Sequence, residues 1–170
     1  LICNSSKNRL YNNQGGLDFS LNTNVTNINQ AAASKALFFD FDLEGDLDFF
    51  LITKNGNQLF RNNADDTYIE TGVKSGITPN LYKTIDAVFS DFDDDGDSDI
   101  LLIGEKGRNI YYDNLRQGYF KNIIDKTNFI TPEQPGVIKT GDYNNDGMID
   151  LFITDSKNKE HKFFKNIGNK

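Results

Sequence analysis

Short apolar runs alternate with polar, Asp- and Asn-rich stretches along the chain. ALFF from Ala36, AVF from Ala87 and VI from Val137 each lead into an acidic segment, and FFLIT from Phe49, ILLI from Ile100 and LFIT from Leu151 each follow one. Runs this short, rich in β-branched and aromatic residues and bounded by Gly, Asn and Asp, predict strands. A further polar-apolar signature recurs out of phase with these: LYNN at Leu10 to Asn13, LFRN at Leu59 to Asn62, YYDN at Tyr111 to Asn114 and FFKN at Phe163 to Asn166. In the first three copies an aromatic residue (Phe19, Tyr68, Phe120) stands six positions after the Asn. Counting that last aromatic segment as a strand gives four strands per unit, and the pattern leaves no room for long helices.

The unit is a repeat. The acidic segments DFDLEGDLD, DFDDDGDSD and DYNNDGMID begin at Asp40, Asp91 and Asp142, 51 residues apart each time. Four antiparallel strands recurring at this spacing are the signature of a β-propeller blade. The predicted fold class is therefore all-β, with propeller blades of four antiparallel strands, about 3.3 blades in 170 residues. Residues 1–30 supply the end of one blade and a connection, 31–75 and 76–128 two full repeats, and 129–170 a third that stops before its last strand. Intact propellers have about 4–8 blades. The expected partner is thus the remainder of a longer chain, the preferred reading, or a second copy that completes a ring of about seven blades.

The acidic segments have the chemistry of a hard-cation site. Ca²⁺ takes 6–8 oxygen ligands, which requires several carboxylates on a very short piece of chain. Positions 1, 3 and 5 of the loops are Asp40, Asp42 and Glu44; Asp91, Asp93 and Asp95; and Asp142, Asn144 and Asp146, all oxygen donors. Position 6 is Gly throughout, as a sharp turn demands. Position 7 is Asp46, Asp97 and Met148, the Met implying a main-chain carbonyl ligand, and position 9 is Asp48, Asp99 and Asp150. Three Ca²⁺ sites are expected on this count. An EF-hand is excluded, because its loop needs a bidentate Glu at position 12 between helices, and here Leu51, Leu102 and Ile153 stand there inside strand runs. Read merely as Asp/Gly turns, the loops would crowd five, six and three of the chain's 25 acidic residues together without a counterion. Such crowding destabilises a fold by repulsion.

Composition narrows the function classes further. A formal charge of −7 lacks the clustered Lys and Arg that nucleic-acid binding needs. Three Ca²⁺ ions would almost cancel it. The single cysteine, Cys3, permits no internal disulfide and no cysteine-based zinc site. No stretch approaches the roughly 20 apolar residues of a membrane helix. His161 is the only histidine, and no nucleophile stands in a recognisable setting, so no enzyme activity is expected. The aromatic pairs Tyr111–Tyr112 and Phe163–Phe164 suit core packing at one repeated blade position better than sugar stacking.

These loops, with the aromatic-Asn strand that follows each, resemble the FG-GAP or VCBS repeats of integrin α-subunit propellers and of many secreted bacterial proteins. The resemblance covers nearly the whole chain. It implies a Ca²⁺-binding DxDxDGxxD loop between the first two strands of each blade, with structural ions on one rim of a propeller. It also implies an extracellular or cell-surface location. Glu44 and Asn144 depart from the pattern, which ranks the second site tightest. Three functions fit: a non-catalytic calcium-binding module for protein or glycan recognition and adhesion, a carbohydrate-binding lectin, and a scaffold part of a larger secreted enzyme.

Overall fold

A computed structural model describes residues 1–3, 7–25, 28, 32–78 and 82–168. Two compact units divide the chain, residues 1–40 with 44–80 and residues 41–43 with 81–170. Among the described residues the regular structure is antiparallel β, apart from two 3₁₀ turns at Glu105–Gly107 and Ile124–Lys126, and none of the helices is long and apolar enough to cross a membrane.

The first unit contains a hairpin, β1 (Tyr11–Gly15) with β2 (Asp18–Leu21), and a four-stranded sheet of β3 (Ala33–Phe39), β4 (Asp48–Thr53), β5 (Gln58–Asn62) and β6 (Tyr68–Glu70), hydrogen-bonded in that order. The apolar run of β4 is buried at all six positions, as expected for a strand covered on both faces. Phe49 stacks on Phe60 with ring centroids 4.7 Å apart, and the two join Leu10, Ile28, Ala33 and Leu51 in the core. Asn8 fastens the hairpin end to this core, donating from Nδ2 to the Ile28 carbonyl at 2.7 Å.

The second unit contains β7 (Thr84–Ser90), β8 (Asp99–Gly104), β9 (Asn109–Asn114) and β10 (Phe120–Asn122) as one sheet, and β11 (Pro135–Gly141), β12 (Asp150–Asp155) and β13 (Lys162–Phe164) as another. The expectation of four-stranded antiparallel blades holds for both complete sheets, and the last blade has three strands. Val88, Leu101 and Ile103 of the first sheet pack on Ile138 and Ile153 of the second. The buried Asp86 adds a polar tie, accepting the Ile138 N–H at 3.1 Å. Each fully buried aliphatic side chain here contributes about 1.5–3 kcal/mol. The aromatic pairs divide: Tyr112 is fully buried and Phe164 packs 4.9 Å from Phe129, whereas Phe163 is half exposed.

The aromatic-Asn signature has a definite structural purpose in this unit. Asn114, at the end of β9, donates from Nδ2 to the Phe41 carbonyl at 2.9 Å and to the Ser98 carbonyl at 3.2 Å. Asn166 repeats the first bond, donating to the Phe92 carbonyl at 2.8 Å. Phe41 and Phe92 both occupy position 2 of an acidic loop, so in this unit the Asn that ends β9 and the Asn that follows β13 each hold the main chain of such a Phe. Phe41 is itself buried, its ring 6.0 Å from that of Phe120. A Cβ on Gly118 would lie 2.6 Å from that ring, and its φ of +76° also favours glycine.

Removing a buried donor strands its carbonyl partners at a cost of about 1–3 kcal/mol. Asn114→Ala is therefore expected to lower stability by about 2 kcal/mol in denaturant titration. Asn13→Ala, at the equivalent but exposed position of the hairpin, should change it by less than about 0.5 kcal/mol.

Candidate metal centre

Each acidic loop joins the first two strands of a sheet, so its nine residues must reverse the chain while keeping their carboxylates together. The backbone does this in the same way three times. Position 6 is glycine at φ +92°, +95° and +87°, and position 4 also enters the left-handed region, at Leu43 (φ 61°), Asp94 (φ 62°) and Asn145 (φ 56°). The glycine was legible in the sequence; the second left-handed residue carries no residue-type signal, since Leu, Asp and Asn all occupy it.

Position 1 shapes the loop from inside. Asp91 accepts the Asp95 N–H at 3.1 Å and the Gly96 N–H at 3.0 Å on its two oxygens. Asp142 repeats this with Asp146 (3.1 Å) and Gly147 (2.9 Å), and Asp40 accepts the Gly45 N–H at 2.9 Å. Position 9 fastens the loop to the sheet. Asp48, Asp99 and Asp150 are each almost fully buried and accept the backbone N–H of Asn62, Asn114 and Asn166 at 2.8, 2.9 and 2.7 Å. Asp99 also accepts the Tyr111 hydroxyl at 2.9 Å. Thus both ends of the set carry structural hydrogen bonds in addition to any ligand role.

The carboxylates of positions 3, 5 and 7 are differently placed. In the first loop Asp40, Asp42 and Asp48 each bring an oxygen within 4.8 Å of the others, and in the second Asp91, Asp93 and Asp95 do so. Several of these oxygens are sealed from water with no hydrogen-bond partner: Asp40 Oδ1, Asp46 Oδ1, Asp93 Oδ1 and both oxygens of Asp97. Asp97 is the extreme case, with 3% of its surface exposed. Glu44 stands apart, exposed, with Oε1 4.0 Å from the Arg61 guanidinium. Arg116 approaches the second loop, donating to the Asp95 carbonyl at 2.5 Å with Nε 3.9 Å from Asp97.

The third loop differs. Its acids form no such three-carboxylate group among the described residues, and no orphaned oxygen is found there. Asn144 at position 3 accepts the Asp146 N–H at 3.0 Å and donates to Asp146 Oδ2 at 2.9 Å. Lys165 Nζ lies 3.1 Å from the same Oδ2. Met148 brings no carboxylate.

Proton affinities follow this geometry. Burial pushes Asp97 up to about 6, with the Asp95 and Asp93 charges adding to it and Arg116 opposing. Burial likewise pushes Asp99 up to about 7 against its hydrogen bonds from Asn114, Tyr111 and Phe92. Asp93 and Asp113 are also raised, burial first and Asp95 next. In the third loop Asp146 is lowered by the Met148 N–H and then by Lys165. Buried, crowded, unsatisfied carboxylates take up either protons or a cation. With oxygen donors only and irregular loop geometry, the first two loops fit a hard divalent ion of the Ca²⁺ type.

The family described as FG-GAP-like repeat matches residues 40–102 and 91–153. Each match begins at position 1 of an acidic loop and runs through the next loop into the strand beyond. No curated protein matches the chain.

A pH dependence follows for the metal-stripped protein. Asp97 and Asp99 have folded-state values above the ordinary aspartate value of about 3.9, so the folded chain binds more protons than the unfolded one between about pH 4 and 7. Stability contributed by these groups is present below that window and is lost as pH rises through it. The carboxylates whose values are lowered, the exposed Asp65 and Asp146 and the hydrogen-bonded Asp155, titrate below it. Metal-stripped protein is therefore expected to melt at a higher temperature at about pH 5 than at about pH 8, with saturating Ca²⁺ reversing the order. Calorimetric scans at the two values check this.

Proposed function

This chain belongs to the FG-GAP-like repeat family, and from that membership and its loop carboxylates we infer a calcium-stabilised β-propeller module that acts by binding and not by turnover. The observation that carries the reading is Asp97, a buried carboxylate with neither oxygen hydrogen-bonded. Leaving such a group charged and uncompensated costs several kcal/mol. A divalent ion offsets that cost for several carboxylates together. Asp91, Asp93, Asp95 and Asp97 would hold it in the second loop, with Asp40, Asp42, Asp46 and Asp48 in the first. The ion supplies positive charge and oxygen coordination, and it fixes the loop on which the Phe41 and Phe92 carbonyls are presented.

Membership of the FG-GAP-like repeat family supports a location outside the cell, where calcium sites of extracellular modules work at about 10⁻⁴–10⁻³ M Ca²⁺. The partner surface is best supported at the three-stranded sheet β11–β13 of the second unit. Tyr143, Phe152 and Phe163 are 57%, 38% and 50% exposed, and the Tyr143 and Phe163 rings meet edge to face at 4.4 Å. Phe92, Leu101 and Tyr111, their equivalents one repeat earlier, belong to the core shared with the sheet that follows. An aromatic face of this kind suits a further blade, from the remainder of a longer chain or a second copy, as the protein partner. Glycan stacking on the same aromatics is the second reading, and a glycan array beside a light-scattering mass separates the two.

Asp97→Asn tests the calcium role through a change of sign. It keeps the shape and removes the charge, so Ca²⁺ affinity at the second loop is expected to fall at least tenfold in calorimetric titration. The same variant without metal should melt a few °C above the parent, because a buried charge only partly offset by Arg116 at 3.9 Å has gone. A variant that loses stability in both conditions would assign Asp97 to packing alone.

A further inference from the structure

The three loops differ at one recurrent position that the loop pattern itself does not contain: the residue immediately before the Asn of the aromatic-Asn strand. In the first repeat it is Arg61, whose guanidinium lies 4.0 Å from Glu44 at loop position 5. In the second it is Asp113, whose charge reaches Asp93 in the loop and which feels Asp95 in return. In the third it is Lys165, whose ammonium lies 3.1 Å from Asp146 at loop position 5. The third strand therefore places this side chain beside the loop each time, as a cation, an acid and a cation.

Among the described residues the third loop is the one whose cation lies within hydrogen-bonding distance of a loop carboxylate, Lys165 at 3.1 Å from Asp146, against 3.9 Å for Arg116 and Asp97 and 4.0 Å for Arg61 and Glu44. It has three acids against six in the second. Asp142 and Asp150 are engaged by backbone N–H groups. Asn144 closes onto Asp146, and Met148 replaces the position that in Asp97 leaves two oxygens orphaned. We propose that Lys165, 3.1 Å from Asp146, is the resident cation of the third loop, so that the chain holds two Ca²⁺ ions instead of three; Arg61 at the first loop stands farther off, 4.0 Å from Glu44, and leaves the orphaned oxygens of Asp40 and Asp46 unmet. The inference rests on the calcium reading of the first two loops. Its physical basis is displacement: a Ca²⁺ ion at the third loop must expel an ammonium already within hydrogen-bonding distance of a ligand oxygen, and it gains fewer carboxylates for doing so.

The test is calorimetric titration of the metal-stripped full chain with Ca²⁺, with amide NMR following the position-6 glycines. The unmodified protein should bind two ions, moving the Gly45 and Gly96 amide signals and leaving Gly147 in place. Lys165→Asp, which copies Asp113, should raise the number to three and move Gly147; Lys165→Arg, which keeps the cation, should leave it at two. Lys165 is half exposed, so both variants are expected to fold, and their NMR spectra check that directly. Three ions bound by the unmodified protein, or Gly147 unmoved in a folded Lys165→Asp, would overturn the proposal while leaving the calcium reading of the other loops intact. No binding at all would overturn that reading together with this one.

Discussion

The structure turns on the confinement of carboxylates in nine-residue loops where water cannot reach all of them. Asp40, Asp46, Asp93 and Asp97 each carry at least one buried oxygen without a hydrogen bond, and low-dielectric surroundings make both their desolvation and their mutual repulsion costly. Backbone rearrangement does not relieve this, because Asp91 and its equivalents already use the loop N–H groups and Asp99 and its equivalents already use the strand ends. What is left over is a demand for positive charge. In the third loop Lys165 offers that charge from the chain itself, 3.1 Å from Asp146; on the proposed reading the first two loops draw it from solution.

The demand is transmitted through the fold by the Asn at the end of each third strand. Its backbone N–H binds the position 9 carboxylate of its own loop, and in the second unit its side chain binds the position 2 carbonyl of the preceding loop. A single residue thus joins the electrostatics of its own loop to the main chain of a buried or half-buried Phe within the second unit. That coupling explains why the two sequence signatures travel together at the same spacing. It also explains why Phe41 is buried at a loop position that would otherwise face solvent.

Much of this was legible in the residues. The spacing of the acidic segments and the apolar runs flanking them placed the strands, because a strand buried on both faces reads as a continuous apolar run, as in β4 and β8. The glycine at loop position 6 announced the turn. Less visible was the division of the carboxylates by task. For Asp99 the sequence offers the ligand role alone, and the structure adds the Tyr111 hydroxyl and the Asn114 N–H that reach it across the sheet. Glu44 is an oxygen donor by residue type, and its exposed place 4.0 Å from Arg61 comes only from the structure. The residue before the repeat Asn could have been found from sequence, since its charge alternates in sign between repeats, but its relevance depends on a third strand ending next to the loop.

Thermal unfolding of the full chain near neutral pH, with saturating Ca²⁺ and again after chelation, tests the central claim most directly. At a hundredfold excess over Kd each occupied site adds about 2.7 kcal/mol, and a chain of this size gains about 2–4 °C per kcal/mol. Two ions should therefore raise the melting temperature by about 10–20 °C. Identical melts with and without calcium would mean that the acidic loops are turns and nothing more.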